Sequence, residues 1–167
     1  MPHISERGAA LPASPIRKLT PYAEAAKARG VKVYHLNIGQ PDLPTPEKAM
    51  EAIRSIDKRT LSYSMSQGTP ALREEFSKYY RTFGIDLDPD EIIVTAGGSE
   101  ALLATFLTCF DPGDEVIITE PGYANYLSFA EAAGLVVKAV TSKIENGFAL
   151  PSAEDFKKAI TPRTKAI

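Results

Sequence analysis

The sequence predicts an α/β protein: a mostly parallel sheet sandwiched by helices. Three observations carry that expectation. The runs Glu91-Ile-Ile-Val-Thr95, Glu115-Val-Ile-Ile-Thr119 and Leu135-Val-Val-Lys-Ala-Val140 are nearly continuous in β-branched and apolar residues. Helical patterns from Ser99 to Phe110 and from Pro121 to Ala133 separate them. Gly97-Gly98, Asp111-Pro-Gly-Asp114 and Gly134 mark the changes of element. Strands apolar on both faces need a cover on both faces, and helical crossovers between parallel strands provide it.

The remaining elements follow in chain order. Residues 1–14 are rich in Pro, Ala and Ser, lack hydrophobic periodicity and read as an extended arm. Ser14-Pro15 starts a helix, with Ser as the cap and Pro in the first turn. Ile16, Leu19, Ala23 and Ala26 recur along it at helical spacing; Pro21 is placed to kink or split it, and Gly30 ends it. Val31 to Leu36 alternates like a short strand and runs into Asn37-Ile-Gly-Gln-Pro-Asp-Leu-Pro44. Thr45-Pro46 caps a helix bearing Ala49, Met50 and Ile53. Residues 58–68 form a polar loop around Tyr63, and a helix from Pro70 carries Leu72, Phe76, Tyr79 and Tyr80 towards Gly84. Near the C-terminus Ser152 starts a short helix over Asp155 to Ile160, and Thr164 to Ile167 opens a fourth strand.

Composition narrows the classes of function. The chain of 167 residues is 44% hydrophobic and 24% charged, with a formal net charge of −2 and a mean hydropathy of −0.14. That balance gives no electrostatic reason to expect nucleic acid or an anionic membrane as partner. No stretch approaches the ~18–20 apolar residues of a membrane span. The N-terminal residues His3, Ser5, Glu6 and Arg7 do not form the apolar core of a signal peptide, so the expectation is a cytoplasmic protein. A single cysteine, Cys109, excludes an internal disulfide; within Ala101 to Phe110 it is expected to be a small buried hydrophobe. No metal site is expected.

Four segments carry chemistry. In Val94-Thr-Ala-Gly-Gly-Ser-Glu-Ala101 a strand pattern meets a double glycine and a helix begins at once. The first N–H groups of a helix lack internal partners and sit at the positive end of its dipole, which suits a phosphate. The plainer alternative is a tight turn with Ser99 as a mere cap. The segment is neither GxGxxG nor a P-loop with its lysine. Thr119-Glu-Pro-Gly-Tyr-Ala-Asn-Tyr126 follows the next strand, at the end of a sheet where α/β proteins bind ligands. Tyr123 there could lie over a flat cofactor, or Tyr123 and Tyr126 could be half-buried packing residues. Leu36-Asn-Ile-Gly-Gln-Pro-Asp42 with Pro44-Thr-Pro46 is stiff enough for Gly39 to offer its N–H to an anion, or it is an ordinary connection. In Tyr63-Ser-Met-Ser-Gln-Gly-Thr-Pro-Ala-Leu-Arg73, Gly68 permits a turn and Arg73 decorates its helix, unless the segment has a shared role.

In order and spacing these four segments resemble the N-terminal half of class I aminotransferases, over nearly the whole chain. Gly39-Gln-Pro-Asp42 with Thr45-Pro46 is similar to that family's substrate loop. Tyr63 through Leu72-Arg73 is similar to its Tyr-(x)n-Gly-(x)3-Leu-Arg segment. Gly97-Gly98-Ser99-Glu100-Ala101 resembles its phosphate cup, Asp111-Pro-Gly-Asp-Glu-Val116 its next turn and strand, and Pro121-Gly-Tyr123 the segment whose ring covers the cofactor. The resemblance implies the type I fold of pyridoxal-phosphate transferases. Residues 1–45 would contribute to a smaller domain, and 46–167 would be the first part of the large, cofactor-binding one. It implies pyridoxal 5'-phosphate as cofactor, held at its phosphate by Gly98, Ser99 and Glu100 and stacked on by Tyr123, with Asn125 near the ring. It also implies a homodimer in which Tyr63 reaches the neighbouring subunit's cofactor phosphate, and substrate carboxylate binding at Gly39.

By the same resemblance, the lysine that forms the Schiff base, the aspartate that pairs with the ring nitrogen and the arginine that grips the substrate lie beyond Ile167. The natural protein is then expected to exceed twice this length, and this portion alone to be inactive and to expose apolar sheet surface. The activity implied is transfer of an amino group between an amino acid, aspartate foremost, and a 2-oxo acid. A lyase or synthase of the same fold, a non-catalytic aminotransferase-like ligand sensor and a generic doubly wound nucleotide-binding domain are the alternatives. The last leaves Gly39-Gln-Pro-Asp42 and Tyr63 unexplained, and no basic helix-turn-helix precedes the domain to favour the sensor.

Overall fold

The computed structural model describes residues 3–11, 14 and 16–167. By internal contacts the chain divides into two compact units, one made of Met1–Val33 with Ala96–Ile167 and the other of Tyr34–Thr95.

The first unit contains the parallel sheet. Strands β1 (Glu115–Glu120), β2 (Val136–Thr141) and β3 (Thr164–Ala166) lie in the order β2-β1-β3, all parallel. β1 and β2 run in register from Glu115 opposite Val136 to Glu120 opposite Thr141, whereas the register to β3 shifts between Glu115 and Val116. α5 (Gly98–Cys109) precedes β1, α6 (Ala124–Ala132) joins β1 to β2, and α7 (Ala153–Ala159) precedes β3. Phe106, Val116, Ala130, Ala133 and Leu135 form the buried core, with Leu102, Phe110, Ile118, Phe129, Val137 and Ala166 packed against it. Two of the three apolar runs, 115–119 and 135–140, are thus strands, as is the predicted last strand at 164–167. Ser152 caps α7 in a capping box, its Oγ accepting from Asp155 N–H while the Asp155 carboxylate accepts from Ser152 N–H.

Other expectations need correction. Residues 1–14 include a short helix, α1 (Glu6–Ala10), so they are not wholly extended. Of the Ser14-Pro15 start, Pro15 lies outside the described residues; Ser14 Oγ accepts from Arg17 N–H at 3.3 Å. A 3-10 turn over Arg17–Leu19 leads into α2 (Thr20–Ala28), and Pro21 sits in the first turn of α2, where its missing N–H costs no helical bond. Val31 to Leu36 is not a strand: Val31 N–H closes the end of α2 on Ala26 O, and Val31, Tyr34 and Leu36 are exposed. Cys109 is exposed as well. Leu102, Phe106 and Phe110 take the core side of this region, and Cys109, the last residue of α5, falls outside that set.

The second unit is organised by α3 (Glu47–Arg54) and α4 (Pro70–Arg81). Pro46, not Thr45, is the N-cap of α3, and no side chain caps it. Arg73 does not merely decorate the surface of α4, the plainer of its two readings, but is buried. Its Nη1 donates to Pro89 O at 2.7 Å and to Asp90 Oδ1 at 2.9 Å, while Ser77 Oγ donates to Leu87 O at 2.6 Å. These bonds fasten α4 to a 3-10 turn over Pro89–Glu91, which replaces the start of the strand expected at 91–95. In the rest of that segment Ile92 N–H bonds back to Pro89 O at 3.3 Å and Val94 N–H bonds to Gln67 O at 2.9 Å, and residues 92–95 are not in a strand. Gly68 is required at this contact, because a Cβ there would lie 2.7 Å from Val94 Cβ, at φ +96. Among the described residues, no helix is long and apolar enough to cross a membrane.

One buried charge ties the sheet together. Glu115, at 0% exposure, accepts from Arg163 Nη2 at 2.6 Å and from Thr161 Oγ1 at 2.7 Å, with Lys138 Nζ at 3.8 Å. The Thr161 hydroxyl bond, then Arg163 and Lys138, hold its carboxyl below the ordinary range against the opposing effect of burial. A depressed carboxyl pKa stabilises the fold above the unfolded value of about 4.3, and that contribution is lost as pH falls through the folded value. Glu115→Gln should therefore lower the melting temperature at pH 7. The gap from the parent should narrow as pH falls below about 4. Thermal melts from pH 7 to pH 2 check this; a gap constant with pH would contradict it.

Candidate functional site

The C-terminal end of β1 leads through a cis Glu120-Pro121 peptide and Gly122 to Tyr123, the N-cap of α6. Gly122 is dictated by space, since a Cβ there would lie 2.6 Å from Thr119 O. The turn is therefore tight, and Tyr123 emerges directly above the strand end. Its hydroxyl accepts from Asn125 Nδ2 at 2.7 Å, and its ring meets Tyr126 edge to face, with centroids 5.6 Å apart at 89°.

α5 starts opposite a residue with no side chain. Gly97, at φ 94, is its N-cap and supplies no side-chain cap. Ser99 is therefore not the cap but a residue of the first turn, with Gly98 before it and Glu100 after. The first N–H groups of the turn have no intrahelical acceptor and add to the positive end of the helix dipole. The Glu100 carboxylate turns back to accept from Ala96 N–H. What Glu100 can offer an anion is its N–H, since its side chain is committed and negative.

Gly98, Ser99, Ala101, Leu102, Thr105, Tyr123 and Tyr126 line one cleft of about 510 Å³. The turn and the aromatic ring thus share one cavity. Tyr123 and Tyr126 are about half exposed, at 49% and 40%. Tyr123 also borders a second cleft of about 550 Å³ with Ile118, Pro121, Leu127 and Phe148. Leu102 and Thr105 were not singled out from sequence as site residues. Their signal is helical spacing: Gly98, Ala101, Leu102 and Thr105 recur on one face of α5. The Thr105 hydroxyl donates to Ala101 O at 2.8 Å, so its polarity is spent within the helix.

The cleft thus offers backbone N–H groups and a serine hydroxyl at one wall, aromatic rings at another and apolar surface between. Such a surface suits a flat molecule bearing an anionic group. The residues lining the cleft include no Asp, Glu, His, Lys or Arg, and among the described residues no group of three or more His, Cys, Asp or Glu could hold a metal ion.

Gly39 and Tyr63 belong to the other compact unit. Gly39 is exposed in an irregular segment, with open space where a Cβ would stand. Tyr63 is fully exposed, and neither Leu61 nor Met65, at 83% and 54% exposure, buries with it. A local cluster of these three side chains is therefore absent.

Known proteins match this chain over nearly all its length. A family model described as aminotransferase class I and II matches residues 31–167. The chain is 38% identical over 166 residues to an aspartate/prephenate aminotransferase of Thermus thermophilus, covering 98% of this chain and 43% of that protein. An aspartate aminotransferase of Geobacillus stearothermophilus is also 38% identical, with 98% and 42% covered. Among solved structures, the T. thermophilus aspartate aminotransferase with maleate superposes with a TM-score of 0.89 at 37% identity, covering 99% of this chain and 44% of that one. An alanine aminotransferase from Pyrococcus furiosus gives 0.88 at 33% identity, covering 98% and 42%. The chain spans less than half the length of these relatives.

Proposed function

We propose, because this chain belongs to the class I and II aminotransferases, that it is the cofactor-holding portion of an enzyme that moves an amino group from an amino acid to a 2-oxo acid. The observation that carries the proposal is the single cleft shared by Gly98, Ser99 and Tyr123. Its make-up fits pyridoxal 5'-phosphate: N–H groups and a hydroxyl for the phosphate, an aromatic face for the ring. When bound, that cofactor supplies an electron sink for bonds broken at the α-carbon of an amino acid.

The residues of this chain bind and orient. The N–H groups of Gly98, Ser99 and Glu100 and the Ser99 hydroxyl anchor the phosphate. Tyr123 lies against the ring, fixing its plane and covering it from water. Gly39 offers its N–H to the substrate carboxylate. The names of the relatives, mostly aspartate or aspartate/prephenate aminotransferases, support aspartate as amino donor. The reaction belongs to a polypeptide of the relatives' length, in which residues 1–45 serve a smaller domain and 46–167 the large one. The lysine that takes the cofactor covalently, the aspartate at its ring nitrogen and the arginine for the substrate carboxylate are assigned to the remainder of that polypeptide.

Tyr63 supports a homodimer. A tyrosine fully exposed on its own chain is free to serve another, and a two-fold contact lets one loop complete both sites.

Two measurements test these statements. The full-length protein should take up pyridoxal 5'-phosphate and convert aspartate and 2-oxoglutarate to oxaloacetate and glutamate, with activity lost on cofactor removal and restored on its return. A folded full-length protein that takes up no cofactor would overturn the proposal. For the dimer, Tyr63→Phe should weaken cofactor binding by about one to two factors of ten. Mixing Tyr63→Ala subunits with subunits lacking the cofactor-binding lysine should restore partial activity, because crossed sites gather both lesions into one site of each heterodimer. Heterodimers with no restored activity would contradict the role of Tyr63.

A further inference from the structure

The contact between Asn125 and Tyr123 has a direction, and the direction has consequences. Asn125 stands half-buried in the first turn of α6, two residues after Tyr123. Its Nδ2 donates to the Tyr123 hydroxyl at 2.7 Å. The phenol oxygen is therefore the acceptor, and its own proton is left available for an acceptor elsewhere. Tyr126 holds the same ring from the side, edge to face. The ring is thus fixed at two points, its hydroxyl tip and its edge, while one wall of the cleft of Gly98 and Ser99 is formed by it. The tight Gly122 turn fixes its base, so rotation about the side-chain bonds is the freedom that remains to be removed. An exposed tyrosine at 49% without such a tether would populate several rotamers, and ordering it on binding would weaken the ligand's affinity.

We propose that Asn125 is a positioning residue for the cofactor site: by donating to the Tyr123 hydroxyl it pre-orients the ring that lies against the cofactor and keeps the phenol proton free. The inference rests on the reading that Tyr123 covers the cofactor ring. Asn125 itself lines neither cleft, so its effect must pass through Tyr123.

The test is a double-mutant cycle in the full-length protein, read by two quantities. One is the dissociation constant of pyridoxal 5'-phosphate. The other is the visible circular dichroism of the bound chromophore, which reports how rigidly it is held in a chiral frame. Asn125→Ala and Tyr123→Phe should each raise the dissociation constant about two- to tenfold, as loss of one neutral hydrogen bond predicts, and each should diminish the visible signal. Because both remove the same bond, the double variant should be no worse than either single one. Asn125→Asp should fall between the parent and Asn125→Ala in effect, since its carboxylate can accept from the phenol and so keeps the ring tethered.

Additive effects of Asn125→Ala and Tyr123→Phe would overturn the inference. So would a lowered melting temperature with the dissociation constant and visible signal unchanged, the signature of a merely structural helix residue. Tyr123→Ala separates the premise from the inference. If it retains cofactor like the parent, the placement of Tyr123 over the ring fails; if it loses cofactor while Asn125→Ala does not, only the role of Asn125 fails.

Discussion

A carboxylate taken wholly out of water must be paired, and at Glu115 the partners come from both sides of the sheet. Lys138 belongs to β2, while Thr161 and Arg163 belong to the turn that enters β3. Removing either partner set would leave a buried charge short of compensation, which is costlier than never having placed it there. The three strands therefore start together at Glu115, where the register to β3 shifts. From there β1 and β2 run side by side to Glu120 and Thr141, and Gly122 and Tyr123 follow the end of β1.

At that far end the physics changes from pairing to availability. The α5 start presents N–H groups because Gly97 cannot cap them with a side chain and because Glu100 spends its carboxylate on Ala96. Tyr123 contributes a face and a hydroxyl, and Asn125 and Tyr126 limit how that face can turn. Ordering that is complete before a ligand arrives need not be supplied by the ligand, so small contacts around the ring bear on affinity. The chain has the α/β fold of its aminotransferase relatives over essentially its whole length.

How much of this was legible in the sequence depended on whether the signal was local. The strands at 115–120, 136–141 and 164–166 and the Ser152 capping box follow from β-branched runs and cap chemistry that neighbours alone decide. The run 91–95 has the same composition, yet Asp88 and Glu91 form a capping box that makes a 3-10 turn of its approach, and Val94 N–H bonds to Gln67 O. A strand requires a partner at ladder distance, and no pattern within five residues reveals one. The burial of Arg73 is illegible for the same reason: it depends on Pro89 and Asp90, sixteen and seventeen residues away. The shared cleft of Ser99 and Tyr123 was readable because both follow strand-like segments into turns, but the walls given by Leu102 and Thr105 required the helix's actual face.

The central claim is that the first turn of α5 and the Tyr123 ring form one cofactor cradle, and the most direct measurement is a crystal structure of the full-length protein with pyridoxal 5'-phosphate. Phosphate oxygens are expected within hydrogen-bonding distance of the amides of Gly98, Ser99 and Glu100, with the pyridine ring against the face of Tyr123. A cofactor bound with its phosphate elsewhere, or with Tyr123 turned away from the ring, would contradict it.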